Sequence, residues 1–514
     1  MTPRRRTVIG RAVFYRLDKH VSAREIYPAA HIEEQGGLHL RLEVLNEDDL
    51  QRIHDASLAI LGKTGIAVYE TQSLKRLEDG GADVDFGKSR ARLPEKLVTE
   101  SIENAPSKFK LAARDHRRFV ELGYGSTHFT NSATGIKVLD HETGKVRQSI
   151  LADVSSFARV ADALENIAFY GPTVVAHDAE GKLHFLKETV AAIENTTKHV
   201  AHECQGTEMT KHFIRIAHAI AGGEDSFRKS PVVSMGGCPV SPLQFDRANT
   251  EAMVESAKAG MPYDVLSMAM GGGTAPVTLA GELALINAEV LAGATICQLF
   301  APGCPVIYGS VASVMDMRTG ILALGAPERS LINASVVQLA HHYRIPSLVG
   351  GISTDAKVPG DQAMFEKTMT GLPPVLAGCD IMFGPAVLSS ATTYSIEQLV
   401  IDDEVASALL RIKKGIDVDD ENLALDMVDK IGPGGGYIGT RHTLDHAKKD
   451  IWRPALSDRN IYDNWLKLGA KDMRARAKER AETILRDHDV PPLDREQKKD
   501  IEKILHDAEK VRGR

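Results

Sequence analysis

Across residues 127–412, short apolar, β-branched runs alternate with helical patterns, and that alternation restricts the possible folds more than any other feature of the chain. The runs fall at Thr127–Leu139, Ile167–Val175, His199–Cys204, Val232–Met235, Tyr263–Met268, Val306–Gly309, Ser347–Gly350 and Ile381–Phe383. Between and after them the periodicity predicts helices at Asp153–Leu164, Phe185–Thr196, Thr207–Ala221, Phe245–Ala259, Val277–Phe300, Pro327–His342, Asp361–Ala377 and Thr393–Ile412. A strand that returns through a helix re-enters its sheet in the same direction, so the strands are parallel. Eight such pairs close most naturally into an α/β (β/α)8 TIM barrel; an open doubly wound sheet is the alternative. The barrel is expected over 121–415, preceded by an arm at 1–44 and a helical preface at 45–120, and followed by a helical extension at 416–514.

The chain has 514 residues, 62 basic and 69 acidic, for a formal net charge of −7. That balance gives no broad basic surface for a phosphate backbone, so a nucleic-acid partner is not expected. No uninterrupted apolar run approaches the roughly 18 residues of a membrane span, and a cytoplasmic protein without a membrane partner is expected. The five cysteines, at 204, 238, 297, 304 and 379, are odd in number and scattered, which argues against a disulfide framework. After 416 the chain turns polar and breaks at Gly432-Pro433-Gly434-Gly435-Gly436. The charged segment beyond Asp458 reads as amphipathic helices lying on something else.

In a barrel of this kind chemistry collects at the carboxyl ends of the strands. His202 and Cys204 alternate in register there, with Cys238 following the fourth strand; a zinc site is one reading and ordinary core residues the other. Gly271-Gly272-Gly273 stands just before the fifth helix, where free amides attract an anion, unless the glycines form only a tight turn. Asp316 and Arg318 read as a local ion pair. The seventh loop carries Ser353, Asp355 and Lys357. Tyr308 and Phe383, at the ends of the sixth and eighth strands, are candidates to enclose a cationic methylated amine, with core packing as the plainer role.

Three blocks, GGGTAPVTLAGELALINAEVLAG at 271–293, PVIYGSVASVMDMRTG at 305–320 and STDAKVPGDQAMFEKT at 353–368, stand with WRPALSDRNIYDNW at 452–465. Together they resemble the trimethylamine methyltransferase superfamily, whose members move a methyl group from a methylated amine to a corrinoid protein. The likeness runs from about Leu45 to the end of the chain and implies a (β/α)8 barrel with helical extensions. Archaeal trimethylamine enzymes of the family carry pyrrolysine near the end of the seventh strand, about where Gly351, Ile352 and Ser353 stand; here every residue is ordinary. The resemblance therefore implies a quaternary ammonium substrate, glycine betaine or similar, and a corrinoid supplied by a partner protein, with no cofactor and no metal held in this chain. The substrate contacts it suggests are Tyr308 and Phe383 around the ammonium and Gly272, Gly273 or His202 toward a carboxylate, with Asp355 and Lys357 shaping the seventh loop. A homo-oligomer is expected, and the loops after strands seven and eight, with the Gly432–Gly436 break and the charged helices beyond Asp458, are expected to rim the mouth and dock the corrinoid protein. A zinc-dependent methyltransferase of thiols or alcohols, or a non-catalytic betaine- or corrinoid-binding barrel, are the alternatives.

Overall fold

A computed structural model describes residues 41–511, apart from 124, 132, 133, 180 and 182, together with the backbone of Gly37–Leu38. The arm at 1–44 therefore lies almost wholly outside the described residues. Eight strands close a barrel in chain order: β1 His128–Asn131, β2 Ile167–Tyr170, β3 Val200–His202, β4 Val233–Gly237, β5 Tyr263–Ser267, β6 Val306–Ser310, β7 Ser347–Gly350 and β8 Ile381–Phe383. Every neighbouring pair is parallel, including the closing pair of β8 with β1. The helices are α1 Leu151–Ala163, α2 Leu183–Asn195, α3 Thr207–Ala221, α4 Arg247–Ala259, α5 Leu279–Phe300, α6 Pro327–His342, α7 Asp361–Ala377 and α8 Ile396–Lys414. The (β/α)8 expectation is met, and α3, α6 and α7 have the predicted bounds.

Register fixes which side chains face the lumen, because laterally paired residues of parallel strands share a face. Asp264 pairs with Ile307, Gly309 with Leu348, Leu348 with Ile381, and Gly350 with Phe383. Ile307, Leu348, Ile381 and Phe169 form one apolar cluster inside the barrel with Leu111, Val120 and Leu122. The last three belong to an antiparallel hairpin, Phe109–Ala112 with Phe119–Leu122, which plugs the amino-terminal end of the lumen.

Helix α5 is buried along nearly all its length and is long and apolar enough to cross a membrane by composition alone, although Glu282 and Glu289 interrupt the run. The reason lies in the preface: helices Glu47–Ala59, Thr71–Asp79 and Glu95–Asn104 cover the face of α5 that a barrel helix ordinarily turns to water. A buried relay joins the two layers, in which Asn287 Nδ2 donates to Ser57 Oγ and to Tyr343 Oη, each at 2.9 Å.

Met473–Asp487 packs on α8 and α1, and Arg495–Val511 on α3 and α2. Glu404 of α8 holds the strap between, accepting the amides of Ala455 and Ser457 at 2.6 and 2.7 Å and that of Leu456. His488 pairs with Asp162 at 2.9 Å, at the amino-terminal end of the barrel. The expectation that these helices rim the mouth is therefore corrected: they lie on the barrel's flank, because their apolar stripes match grooves between barrel helices.

Candidate active site

The mouth at the carboxyl ends of the strands gathers several of the expected residues and rejects others. Phe383 faces the lumen at the end of β8 and keeps part of its surface accessible. Tyr308 does not join it. On β6 the lumen positions are Ile307 and Gly309, so Tyr308 turns outward, fully buried, donating to Asn287 Oδ1 at 2.8 Å and stacking on Tyr343. A cage drawn with Tyr308 is corrected accordingly. Tyr308→Phe is expected to leave ligand binding unchanged and to lower stability by about 1–3 kcal/mol, because a buried amide oxygen loses its donor. Phe383→Ala is expected to weaken binding of a quaternary ammonium by roughly 0.5–2 kcal/mol. Calorimetry with denaturant unfolding separates the two effects.

His202 also faces the helix layer. Its Nε2 meets Glu188 Oε2 of α2 at 3.1 Å, and the other carboxylate oxygen meets His184 Nδ1 at 3.0 Å and the amide of Ala176 at 2.6 Å. Burial pushes the Glu188 carboxyl up, but the two histidines and the amide outweigh it and hold it at about 2. Glu188 occupies His202 Nε2. Among the described residues, no group of three or more His, Cys, Asp and Glu is arranged to hold a metal ion.

The glycine run is likewise corrected as an anion site. Helix α5 starts at Leu279, six residues beyond Gly273, and the turn consumes its own amides. Gly272 N donates to Ala275 O at 3.0 Å, and Gly273, Thr274 and Ala275 all donate to Met270 O. Gly271 N is taken by Glu282 Oε1 at 3.1 Å, which places an acid where an anion was expected. The run is a tight turn, with Gly272 at φ +86°.

In the seventh loop, Asp355 accepts from the amides of Leu324 and Gly325, both at 2.9 Å, and from Ser390 Oγ at 2.7 Å, so it ties the loops after β6, β7 and β8 together. Lys357 is exposed and donates to Asp355 O. Asp316 and Arg318 form the exposed local pair expected of them, at 2.9 Å.

Sequence reasoning passed over four groups in the lumen and around its carboxyl end. Glu203, one residue past β3, follows His202 on the opposite face, and Asp264 of β5 lies on the lumen beside Gly236; a Cβ on Gly236 would fall 2.0 Å from Asp264 Oδ2. Both acids sit deep in the protein yet keep accessible surface. Burial raises both carboxyls, Asp264 to about 7; the Glu203 charge adds to the rise at Asp264, while at Glu203 the nearby Glu188 raises and His202 and His184 oppose. The third is a buried pair behind the mouth. Lys367 Nζ donates to Asp402 Oδ2 at 2.8 Å and to Ile352 O at 2.9 Å, with a longer 3.4 Å contact to Gly384 O, while Asp402 Oδ2 accepts the Ala386 amide at 2.8 Å. It fixes the chain just past β7 and β8, including Ile352, a β-branched residue at φ +46°. The fourth is Arg329 of α6, fully buried.

A cavity of about 590 Å³ opens at the other, amino-terminal end of the barrel, among Arg117, Arg118, Asp162, Lys198, His199 and His488. It lies beneath the hairpin plug, and chemistry on a barrel of this kind collects at the carboxyl ends of the strands, so the mouth there is the candidate site.

The family model described as trimethylamine methyltransferase (MTTB) matches residues 20–510. The chain is 37% identical over 480 residues to the trimethylamine methyltransferase MttB of Methanosarcina barkeri, covering 92% of this chain and 96% of that one. It is 34% identical over 463 residues to the glycine betaine methyltransferase of Desulfitobacterium hafniense, covering 90% and 96%. Among solved structures, the monomethylamine methyltransferase MtmB of Methanosarcina barkeri aligns with a TM-score of 0.48 at 13% identity, over 87% of this chain and 89% of that one. With a family match across nearly all its length and relatives above 30% identity, this chain belongs to the trimethylamine methyltransferase family and is a methyltransferase.

Proposed function

We propose that the protein takes a methyl group from a quaternary ammonium compound, glycine betaine or a similar betaine, and passes it to a corrinoid carried by a partner protein. The observation that carries the reading is the lumen wall of β3 to β5, where Glu203 and Asp264 keep accessible surface and Glu203 lies near enough to raise the Asp264 carboxyl, with Phe383 on the lumen face of β8. A fixed positive charge without a hydrogen-bonding proton suits such a wall: carboxylates attract it and an aromatic face accepts it. The absence of pyrrolysine from the sequence and the glycine betaine relative favour a quaternary over a tertiary amine.

The chain's own residues then have distinct tasks. Glu203 and Asp264 hold the ammonium, Phe383 covers a methyl face, and the loops tied by Asp355 and Lys367 shape the rim. The partner's corrinoid supplies the cobalt nucleophile that accepts the methyl carbon. Gly309 and Gly350 put no side chain of their own on the lumen wall of β6 and β7, and the space beside them is taken by Leu266 and by the Arg329 guanidinium. Met268, Val277, Met317 and Ile321 are exposed on the loops after β5 and β6, an apolar rim suited to a docking protein. A homo-oligomer belongs to the same reading, supported by exposed Tyr437, Ile438, Leu444 and Tyr462 in the extension.

Incubation with cob(I)alamin or a cob(I) corrinoid protein tests the function. Glycine betaine is expected to convert the cob(I) spectrum to that of methylated cobalt(III), and trimethylamine to leave it unchanged. The reverse preference would overturn the proposal.

A further inference from the structure

We infer that Arg329 is the carboxylate-binding residue of the substrate site, so that the mouth selects zwitterionic quaternary amines over purely cationic ones; this rests on the function proposed above. Arg329 sits in the first turn of α6, after Pro327 and Glu328, where a sequence reading would place it at the surface. It is instead 1% exposed. Its Nη1 donates to the carbonyls of Val311 and Ala312, at 2.8 and 3.1 Å, just above the point where β6 stops pairing with β7. Its Nη2 stands 1.9 Å from the position of a Cβ on Gly350, and Gly350 faces the lumen in register with Phe383. The guanidinium therefore occupies the space that any side chain at Gly350 would fill, on the lumen side of the strand.

Its bonding is incomplete. Nε is buried without a partner, and the hydrogen bonds that Arg329 makes among the described residues run from Nη1 to Val311 O and Ala312 O. A buried guanidinium with an unmet donor costs free energy, and a ligand or an ordered water that completes it offsets that cost. Burial draws its pKa down to about 10, opposed by Asp355, yet it stays charged at neutral pH. Asp355 does not complete it, since its oxygens are taken by Leu324, Gly325 and Ser390. The unmet edge of Nε and Nη2 presents the parallel pair of donors that a carboxylate accepts through both oxygens. The lumen wall thus carries carboxyls on β3 and β5 and a cation beside β7, a charge pattern opposite to that of a betaine.

The test compares glycine betaine with choline, which has the same trimethylammonium head and no carboxylate, by calorimetry on the full chain. Wild type is expected to bind betaine at least ten-fold more tightly than choline. Arg329→Gln is expected to abolish that preference by weakening betaine ten-fold or more while choline binding stays within two-fold; unchanged choline binding shows that the site still folds. Gly350→Ala, which keeps the arginine but places a methyl group on its Nη2, is expected to reduce the preference too. If Arg329→Gln keeps the full preference, the inference fails while the proposed function stands. If wild type binds no quaternary amine, both fail.

Discussion

Replacing Lys367 by Met is expected to lower the free energy of unfolding by about 3–5 kcal/mol, the range for removing one partner of a buried ion pair. Lys367 and Asp402 have no exposed side-chain surface, so solvent does not soften the loss. Burial lowers the lysine and raises the aspartate, and their mutual attraction opposes both shifts. Without Lys367, Asp402 must either remain charged in a closed interior or take up a proton, and Ile352 O and Gly384 O lose their shared donor. The double change Lys367→Met with Asp402→Asn is expected to recover most of the loss, because Asn keeps an acceptor for the Ala386 amide. Denaturant unfolding measures both. A loss below about 1 kcal/mol in the single variant would show that the pair does not hold the ends of β7 and β8.

Asp264→Asn is expected to weaken binding of glycine betaine at pH 8 by about 2–4 kcal/mol, the scale of a carboxylate and a cation about 4 Å apart at an effective dielectric near 20. Its effect should fall on KM rather than kcat, because positive charge on nitrogen declines as the methyl leaves and an acid that holds the cation helps the ground state at least as much as the transition state. The pH dependence has a fixed sign. Asp264 titrates near 7 in the free protein, and a bound cation favours its ionised form. Binding should then expel a proton near neutral pH, and affinity should rise as pH increases through about 7 before levelling. Glu203, also raised by burial, acts in the same direction. Calorimetry in buffers of different ionisation enthalpy measures the proton; the Asn variant should release less and show a flatter profile.

The barrel was readable because each strand was a short β-branched run and each crossover a helical period, and the eight runs recur at the strands observed. The direction of side chains was not readable. Strands of a parallel barrel are buried on both faces, so apolar alternation does not mark the lumen, and an error of one residue reverses the assignment. This is how His202 was preferred to Glu203, and Tyr308 to the lumen positions Ile307 and Gly309. Asp264 left a usable signal, a lone acid inside the run Tyr263–Met268. Arg329 left none, since a charged residue in the first turn of a helix ordinarily meets water. Gly271-Gly272-Gly273 was recognised as a turn or anion site, and only the hydrogen bonds of Met270 O and Glu282 decide for the turn.

A structure of the protein with glycine betaine tests the account most directly. The trimethylammonium group should lie in the carboxyl-end mouth against Glu203, Asp264 and Phe383, with the carboxylate on Nε and Nη2 of Arg329. A ligand found instead in the amino-terminal cavity beside Lys198 and His199, or a mouth that stays empty at saturating betaine, would contradict it.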